Sequence, residues 1–309
     1  MEMPRLVLRR ELVRAGWSDH ELRHQQRSGE LLRLGRGAYV RAPDALPRFE
    51  LRHALLAAVR DERHAADGVL SHVSAAVLHG LSTWGLSLER VHRTRDVRSG
   101  GRLGRGVHLH AAPLVLDEIV EVDGLLVTSP ARTVVDVARA AGFDAAVAVA
   151  DSALHKHLVD PDDLARAARR CAGWKGAPQA RRVVDASDGR SDSVGESRSR
   201  LEILRAGLPA PVLQWKVQGR GRTYEVDFAW PELRTVGEFD GLSKYGRLLR
   251  PGQDPAEVVV AEKLREDEIR DLDLRAVRWI WSEIDDFDPV AERLCRAFAA
   301  SPDGAAWRR

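Results

Sequence analysis

The first forty residues alternate between short segments of periodic apolar residues and glycines. Four apolar residues fit one helical face and predict a first helix: Leu6, Leu8, Leu12 and Val13. Ser18 and Glu21 form a capping-box pattern that predicts the start of a second helix, which Gly29 ends. Apolar residues on both sides of residues 35–37 then predict a β-hairpin. This order is typical of a winged helix-turn-helix. The alternative is a small helical cap with solvated arginines.

Arginines mark the surface with which such a domain would contact DNA. Arg23 and Arg27 lie one turn apart on the second predicted helix, which would enter the major groove. Arg33 lies on the first strand of the hairpin, and Arg36 lies at its tip, where it would contact the phosphate backbone. These four residues are the predicted DNA-binding residues.

Several short runs in this segment share the pattern of one family: Ala15-Gly16-Trp17-Ser18, Leu22-Arg23, Ser28-Gly29, Leu32-Arg33 and Arg36-Gly37-Ala38-Tyr39. Together they resemble the N-terminal winged-helix domain of AbiEi-type antitoxins from type IV toxin–antitoxin systems. The resemblance implies a domain that reads operator DNA and represses the toxin–antitoxin operon. DNA is therefore the expected partner, and a cognate toxin or defence protein is left open as a second one.

Residues 45–188 predict a mixed α/β middle domain. Helices are expected over residues 50–63, 71–80 and 145–155, and strands over 89–94, 107–111 and 119–122. Asp123-Gly124 predicts a hairpin turn, and Ser129 followed by Pro130 predicts the start of another helix. The phrases at residues 71–81 and 124–139 also resemble the body of AbiEi-like proteins, which implies a linking or regulatory domain and names no activity.

The histidines of this middle segment lack the sequence spacing of a metal pair. His72 and His79 are seven residues apart, and His108 and His110 alternate on a predicted strand. None of these pairs matches HxxxH or HExxH. We therefore expect packing or capping histidines and no metal site here.

The last segment, residues 189–309, predicts an α/β domain. A helix is expected from the capping residue Ser193 to Gly207, followed by strands over 208–219, 222–230 and 234–241. A long helix over 256–272, a buried strand over 276–282 and a closing helix from Pro289 complete the order.

Acidic residues converge on two of these strands. Four apolar residues are expected to take one face of the strand over 222–230: Tyr224, Val226, Phe228 and Trp230. Glu225 and Asp227 share the other face, and Glu238 and Asp240 share a face of the next strand. Asp227 and Glu238 would then lie side by side, where like charges repel. A divalent cation would relieve that repulsion, and oxygen ligands suit Mg²⁺ or Mn²⁺.

A longer motif set runs through this segment: Ser193, Glu196, Leu201, Gln214, Asp227-Phe228, Glu238-Phe239-Asp240-Gly241, Lys244-Tyr245, Arg265-Glu266-Asp267, Arg270 and Arg278-Trp279. It resembles the PD-(D/E)XK nucleases, and most closely the small endonuclease-like domains related to very-short-patch mismatch-repair enzymes. The resemblance implies a restriction-endonuclease-like fold in which Asp227 and Glu238 ligate the metal.

The same resemblance implies roles for the neighbouring residues. Glu196 would be an outer catalytic carboxylate, and Asp240 would support the cluster. Lys244 would bind the scissile phosphate or orient the attacking water. The motif reads Glu-Phe-Asp where relatives place a lysine, so Lys244 or Lys263 would have to replace it. The alternatives are a solvated strand face with arginine partners, or a nuclease fold retained without activity.

Composition narrows these interpretations. The 309 residues include 48 Lys and Arg against 46 Asp and Glu, a formal charge of +2, with a basic front and an acidic rear. Cys171 and Cys295 cannot supply a disulfide framework or a cysteine-rich zinc site. The N-terminus has no apolar signal segment, and no stretch reaches the roughly 18 apolar residues of a membrane helix. We therefore expect a cytoplasmic protein without membrane contact.

Taken together, the sequence predicts an α/β multidomain protein of three parts, 1–44, 45–188 and 189–309. The first expectation for function is a Mg²⁺-dependent endodeoxyribonuclease guided to DNA by its N-terminal domain. The alternative is an antitoxin-like transcriptional regulator with an inactive nuclease-fold domain, and a structural adaptor is a third. The DNA recognised, the choice of DNA over RNA and the oligomeric state stay open.

Overall fold

A computed structural model describes residues 6–35, 37–41, 53, 56–57, 68–104, 106–219, 223–241 and 272–301. The chain divides into two compact units, Met1–Ser187 and Asp188–Arg309, and each is described by itself. The division into domains at residues 44 and 188 stays a prediction.

The first unit begins with a small sheet and two helices. Its elements are β1 (Leu6–Leu8), α1 (Arg9–Arg14), α2 (Asp19–Arg27), β2 (Leu31–Gly35) and β3 (Ala38–Arg41). The three strands form an antiparallel sheet in the order β1-β3-β2. Leu12, Leu22, Leu31 and Tyr39 make its buried core. The apolar sides of the two helices therefore close over one face of the hairpin.

The expected first helix is wrong at its beginning, because Leu6 and Leu8 lie in strand β1. They pair with Val40 and Ala38 of β3, so the hairpin supplies hydrogen-bond partners that helical spacing alone does not reveal. The capping box of Ser18 at the start of α2 is confirmed.

A six-stranded mixed sheet forms the body of the first unit, in the order β6-β7-β5-β4-β9-β8. Its strands are β4 (Val69–Leu70), β5 (Val91–Asp96), β6 (Arg102–Leu103), β7 (Val107–Ala112), β8 (Ile119–Val122) and β9 (Leu125–Thr128). Among the described residues, five further helices accompany it: α3 (His72–Leu78), α4 (Pro130–Ala140), α5 (Phe143–His155), α6 (Pro161–Arg170) and α7 (Ala177–Ala186). α4 packs against each of the other four.

Local sequence signals account for several of these boundaries. Asp123 and Gly124 both have positive φ, 51° and 79°, as the tight turn between β8 and β9 requires. Ser129 caps α4 with Pro130 in its first turn. The sequence reading missed α6, although Asp160 forms a capping box at its start, and it also missed α7. The expected helix over 50–63 lies mostly outside the described residues.

A buried ion network fixes α4 in this unit. Arg132, 1% exposed, contacts Glu118 at 2.5 Å and Asp136 at 2.9 Å, and Asp136 also contacts Arg139 at 3.1 Å. The Trp174 ring lies 4.9 Å from both guanidinium groups. Each buried charge therefore has an opposite partner, without which burial would be costly.

The second unit is a four-stranded sheet with helices. Its elements are α8 (Val194–Arg205), β10 (Val212–Gln218), β11 (Thr223–Trp230), β12 (Thr235–Asp240), β13 (Arg275–Ile280), α9 (Trp281–Ile284) and α10 (Asp288–Ala299). The order is β10-β11-β12-β13, with the first three antiparallel and β13 parallel to β12. The expected helix over 256–272 lies outside the described residues apart from its last position.

The main core of this unit is aromatic. Phe228, Trp230, Phe239, Trp279 and Phe298 are all buried in one cluster. α8 comes so close to β12 that a Cβ added at Gly195 would overlap the Phe239 ring. This close approach brings the residue after Gly195, Glu196, next to the sheet.

No helix within the described ranges is long and apolar enough to span a membrane.

Candidate functional site

The exposed face of α2 carries basic side chains. Arg23, His24 and Arg27 are exposed, while Leu22 on the opposite side is buried in the small core. Arg33 is exposed on β2. The structure thus places three of the four predicted DNA-binding arginines at the surface of one small subdomain. Arg36 lies outside the described residues.

Two polar contacts hold the start of α2. Glu21 Oε2 accepts from the Ser18 amide at 2.7 Å, and Ser18 Oγ accepts from the Glu21 amide at 3.2 Å. Arg9 at the start of α1 donates to both carboxylate oxygens of Asp19, at 2.7 and 2.9 Å. Both sets of contacts therefore lie at the N-terminal end of α2, where the capping box begins the helix and Arg9 links it to α1.

In the second unit, polar residues form a row across the four strands, which we call the polar row. Leu213 pairs with Phe228 and Trp215 with Val226, so Gln214 lies at the level of Asp227. Phe228 pairs with Gly237, and the next residues along those two strands are Asp227 and Glu238. Glu238 pairs in turn with Arg278 of β13. The polar row is therefore Gln214, Asp227, Glu238 and Arg278.

The expected alternation along β11 is interrupted at this row. Phe228 and Trp230 belong to the aromatic core, whereas Val226 packs with Ala229 and Val236 in a separate cluster. Gln214 on β10 has φ 50° in the left-handed region, which breaks the regular pleat beside Asp227. The prediction that Val226 shares the face of Phe228 is therefore wrong.

Glu196 of α8 joins the polar row from the helix side. One carboxylate oxygen accepts from the Asp192 amide at 2.9 Å and from Gln214 Nε2 at 2.8 Å, and the other accepts from Ser193 Oγ at 2.8 Å. Burial, reinforced by the charge of Asp227, raises the pKa of Glu196 to about 7. Because two negative charges repel at this position, binding of a proton or a cation there is favourable.

The other carboxylates have protein partners. Asp227 Oδ2 accepts from the Phe239 amide at 2.8 Å, and Glu238 contacts Arg278 at 3.1 Å. Asp240 ends β12 on the same face as Glu238, by strand alternation. Lys244 and Lys263 lie outside the described residues.

The carboxylates of Glu196, Asp227 and Glu238 have the ligand type that Mg²⁺ prefers, but their separation is too large for one ion. Oxygen donors and a carboxylate with a raised pKa suit a hard cation. However, the carboxylate oxygens of Glu196, Asp227 and Glu238 do not form, in the described part of the chain, a group of three ligand atoms that all lie within 4.8 Å of one another. Binding would require these carboxylates to move closer together, with Glu238 turning from Arg278.

The structure brings together histidines that no metal-binding motif of the sequence groups. His72, His92 and His110 come from α3, β5 and β7, and their ligand nitrogens all lie within 4.8 Å of one another. The expectation of separate packing histidines overlooked this cluster because its members are spread over 39 sequence positions. The alternation of His108 and His110 along one strand was the available signal.

Comparison with known proteins supports the N-terminal part of this picture. Residues 4–42 match the family model of the transcriptional regulator, AbiEi antitoxin. The match covers α1, α2 and the hairpin, which carry the exposed arginines.

Two curated relatives match a much longer part of the chain. They are uncharacterized protein MT2308 of Mycobacterium tuberculosis strain CDC 1551 / Oshkosh and uncharacterized protein Rv2248 of strain ATCC 25618 / H37Rv. Each is 31% identical over 220 residues, 71% of this chain and 76% of the relative. A crystal structure of the RV2827C protein from M. tuberculosis matches at TM-score 0.39 and 17% identity, over 69% of this chain and 83% of that one. By its similarity to MT2308 and Rv2248, this chain belongs to the same protein family as those two mycobacterial proteins.

Proposed function

We propose that the chain is a DNA-binding transcriptional regulator of the AbiEi antitoxin type. In this proposal the segment from β1 to β3, with α1 and α2, forms a winged helix-turn-helix in which α2 is the recognition helix. The observation that carries it is the exposed basic face of α2, a helix whose start is fixed by the capping box of Ser18 and Glu21. The family match over residues 4–42 supports it. A cognate toxin is the second partner that this proposal implies, and the cytoplasm is the expected site of action.

We assign the arginines to two kinds of DNA contact. Arg23 and Arg27 lie one helical turn apart, so both reach the same groove when α2 lies in it. Arg33 lies on β2, the strand that leads into the hairpin loop, where it would contact a flanking phosphate. Base contacts by the helix would set the sequence preference, and phosphate contacts by the hairpin would set the register.

The test is a binding titration of the purified chain on duplexes selected from a random library and on DNA upstream of its own gene. We expect the double substitution Arg23→Ala and Arg27→Ala to weaken specific binding roughly 100-fold. Arg33→Ala should weaken binding on all sequences alike and lower the salt slope by about one.

A matched control is the double substitution Arg169→Ala and Arg181→Ala, which removes two exposed arginines from α6 and α7. This control should bind DNA as the unchanged chain does. Equal loss in both double variants would contradict the recognition helix and leave only general electrostatic attraction.

A second candidate function is metal-dependent phosphodiester hydrolysis in the second unit. The observation that favours it is the polar row, in which Asp227 and Glu238 lie at neighbouring positions of two strands. Glu196 is hydrogen-bonded to Gln214 of the same row from the helix side. Asp227 and Glu238 would hold the Mg²⁺ or Mn²⁺ ion. The bound ion would polarise the phosphate and lower the pKa of an attacking water.

The chain's own residues would position the reaction. Gln214 holds the Glu196 carboxylate toward the row through a 2.8 Å hydrogen bond. Arg278, which contacts Glu238 at 3.1 Å, would be released to a substrate phosphate when Glu238 turns to the metal. Glu196, with its pKa of about 7, could accept or donate a proton near neutral pH. Lys244 and Asp240 complete the proposed set.

Cleavage of supercoiled, linear, mismatched and single-stranded DNA with Mg²⁺, Mn²⁺ or EDTA tests this candidate. Asp227→Asn and Glu238→Gln preserve shape and should each abolish metal-dependent cutting. Glu232→Gln, an exposed carboxylate outside the row, is the matched control. DNA binding without cutting on any substrate would contradict the nuclease and leave the regulator.

A further inference from the structure

Four imidazoles meet in the first unit near the start of α3, and neither proposed function uses them. Three of them, His72, His92 and His110, have ligand nitrogens that all lie within 4.8 Å of one another. The rings of His72 and His110 stack with their centroids 3.6 Å apart. His92 Nδ1 lies 3.0 Å from His110 Nε2. Two nitrogen ligands of a tetrahedral zinc ion lie about 3.3 Å apart, given Zn–N distances near 2.05 Å. The two nitrogens share a hydrogen bond, so a bound ion would replace its proton with little change in their separation.

The strands fix two of these side chains on one face. β5 and β7 are parallel neighbours in which His92 pairs with His108, and Thr94 pairs with His110. His92 and His110 are thus diagonal neighbours whose side chains leave the same face of the sheet. Their approach follows from the register and does not depend on a loop.

Backbone and side-chain hydrogen bonds of Ser71 position His72 over this pair. The Ser71 amide donates to the His92 carbonyl at 3.0 Å, and the Thr94 hydroxyl donates to Ser71 Oγ at 2.7 Å. The same Ser71 oxygen lies 3.0 Å from His72 Nδ1, which leaves Nε2 of that ring for another ligand. A histidine that bonds through one nitrogen to a fixed polar group has the arrangement found around metal ligands.

His72 is also strained. Its φ of 51° lies in the left-handed region, which few residues other than glycine adopt, although histidine does so more often than most. Such strain persists where the surrounding structure enforces it, and it concentrates at ligand sites. Here the strained conformation directs the ring onto His110.

The protonation states suit a metal. Burial, together with the neighbouring imidazoles, lowers the pKa of His92 to about 3 and the pKa values of His72 and His110 well below their usual range. All three rings are therefore neutral at neutral pH, and the neutral ring is the form that binds metal.

We propose that His72, His92 and His110 bind one Zn²⁺ ion. Neutral imidazole nitrogens favour zinc and neighbouring transition metals over Mg²⁺. Three protein ligands leave the fourth position to water or to a small ligand. The ion would join α3 to β5 and β7, so it would stabilise the body of the first unit. This site is independent of both proposed functions.

The test titrates the full chain, freed of metal by EDTA that is then removed, with Zn²⁺ by calorimetry and with Co²⁺ by visible absorption. We expect one saturable site per chain and a rise in the thermal midpoint with Zn²⁺. His92→Gln and His110→Gln should each weaken binding at least tenfold. His157→Asn, an exposed histidine with φ 53°, should bind as the unchanged chain does.

Two further arms keep the test decisive. Asp227→Asn should leave zinc binding unchanged, so its loss in that variant would move the site to the second unit and overturn the proposal. If the glutamine variants fail to fold, carbethoxylation of the unchanged chain replaces them, with mass spectrometry locating the modified rings. Protection of His92 and His110 by Zn²⁺ supports the site. Equal modification with and without Zn²⁺, or the absence of saturable binding, overturns it.

Discussion

The histidine cluster of the first unit and the Glu196 site of the second are both groups of like side chains, each formed by one helix residue and neighbouring strand residues. Burial shifts their protonation in opposite directions. It lowers the pKa of His92 to about 3 and raises the pKa of Glu196 to about 7. In both cases burial favours the uncharged form.

The difference lies in what each uncharged group can still do. A neutral imidazole keeps a lone pair ready for a metal, whereas a protonated carboxylic acid must first lose its proton. The histidine cluster is thus prepared for a transition metal at neutral pH, and the carboxylate site is poised between proton and cation. The two units should therefore respond oppositely to acid.

The largest expected effect is acid destabilisation of the metal-free first unit. The folded pKa of His92 lies below the unfolded value of 6.5, so its contribution is complete above 6.5 and is lost as pH falls towards 3. Burial is the main cause, and His108, His53 and Arg90 add like charge around His92. We expect a loss of several kcal/mol, seen by hydrogen exchange in peptides from this unit.

His92→Gln sharpens that prediction, because it removes the titrating group while keeping a polar side chain. The acid sensitivity of this variant should be smaller. If the first unit kept its exchange protection down to pH 3, protonation of the histidine cluster would not destabilise the unit. That result would contradict the expected acid sensitivity.

The next effect concerns the close approach of α8 to the sheet. Gly195→Ala places a methyl group inside the Phe239 ring, so we expect a cost of about 3 kcal/mol in urea unfolding. It should also displace Glu196 and bring its pKa back towards 4.5. Gly142→Ala adds a methyl group where nothing lies within 4 Å and should change little. Equal midpoints for the two variants would contradict the packing.

Glu196 should have a smaller effect on stability, and in the opposite direction: it destabilises the second unit as pH rises. Its folded pKa is raised above the unfolded 4.5, so its contribution is complete below 4.5 and is lost as pH rises through 7. In Glu196→Gln the carbonyl oxygen can still accept from the Asp192 amide and Gln214 Nε2, and the NH2 group would donate to Ser193 Oγ, all without the charge. Above pH 7 we expect this variant to be more stable by about 2 kcal/mol in urea unfolding.

Below pH 4.5 the unchanged chain and Glu196→Gln should unfold at nearly the same urea concentration. A variant that is less stable than the unchanged chain at high pH would mean that the ionised carboxylate is favourable where it lies, and the opposition between the two sites would fail.

The smallest effect is expected from an exposed ion pair. Arg9 and Asp19 are in contact at 2.7 Å, yet both side chains are about half exposed, so water competes for them. Asp19→Asn should leave the thermal midpoint unchanged within error. A clear shift would show that exposed charges matter here as much as buried ones.

Local sequence signals predicted much of this fold. Ser18, Ser129 and Ser193 each begin a helix where the pattern placed it, and Asp123-Gly124 makes the expected turn. Alternation placed Asp227 beside Glu238. These features depend on residues within a few positions of one another, or on the period of a strand.

Long-range pairing accounts for the errors. Leu6 and Leu8 read as helical because their partner strand begins thirty residues later. The regular pleat is interrupted beside Gln214, whose φ of 50° is left-handed, and Val226 and Phe228 lie in separate clusters. No local sequence pattern predicts this interruption. The histidine cluster needs a helix start and two parallel strands in register, which spacing rules for metal pairs do not cover.

The left-handed backbone of His72 has a consequence for protein engineering. Glycine or asparagine would adopt its φ of 51° at lower cost, so a procedure that optimises stability alone would replace this histidine early. A thermostabilised version of the chain obtained in that way would fold well and would have lost one of its three imidazole ligands. Stability screens and metal-binding screens should therefore disagree most sharply at this one position.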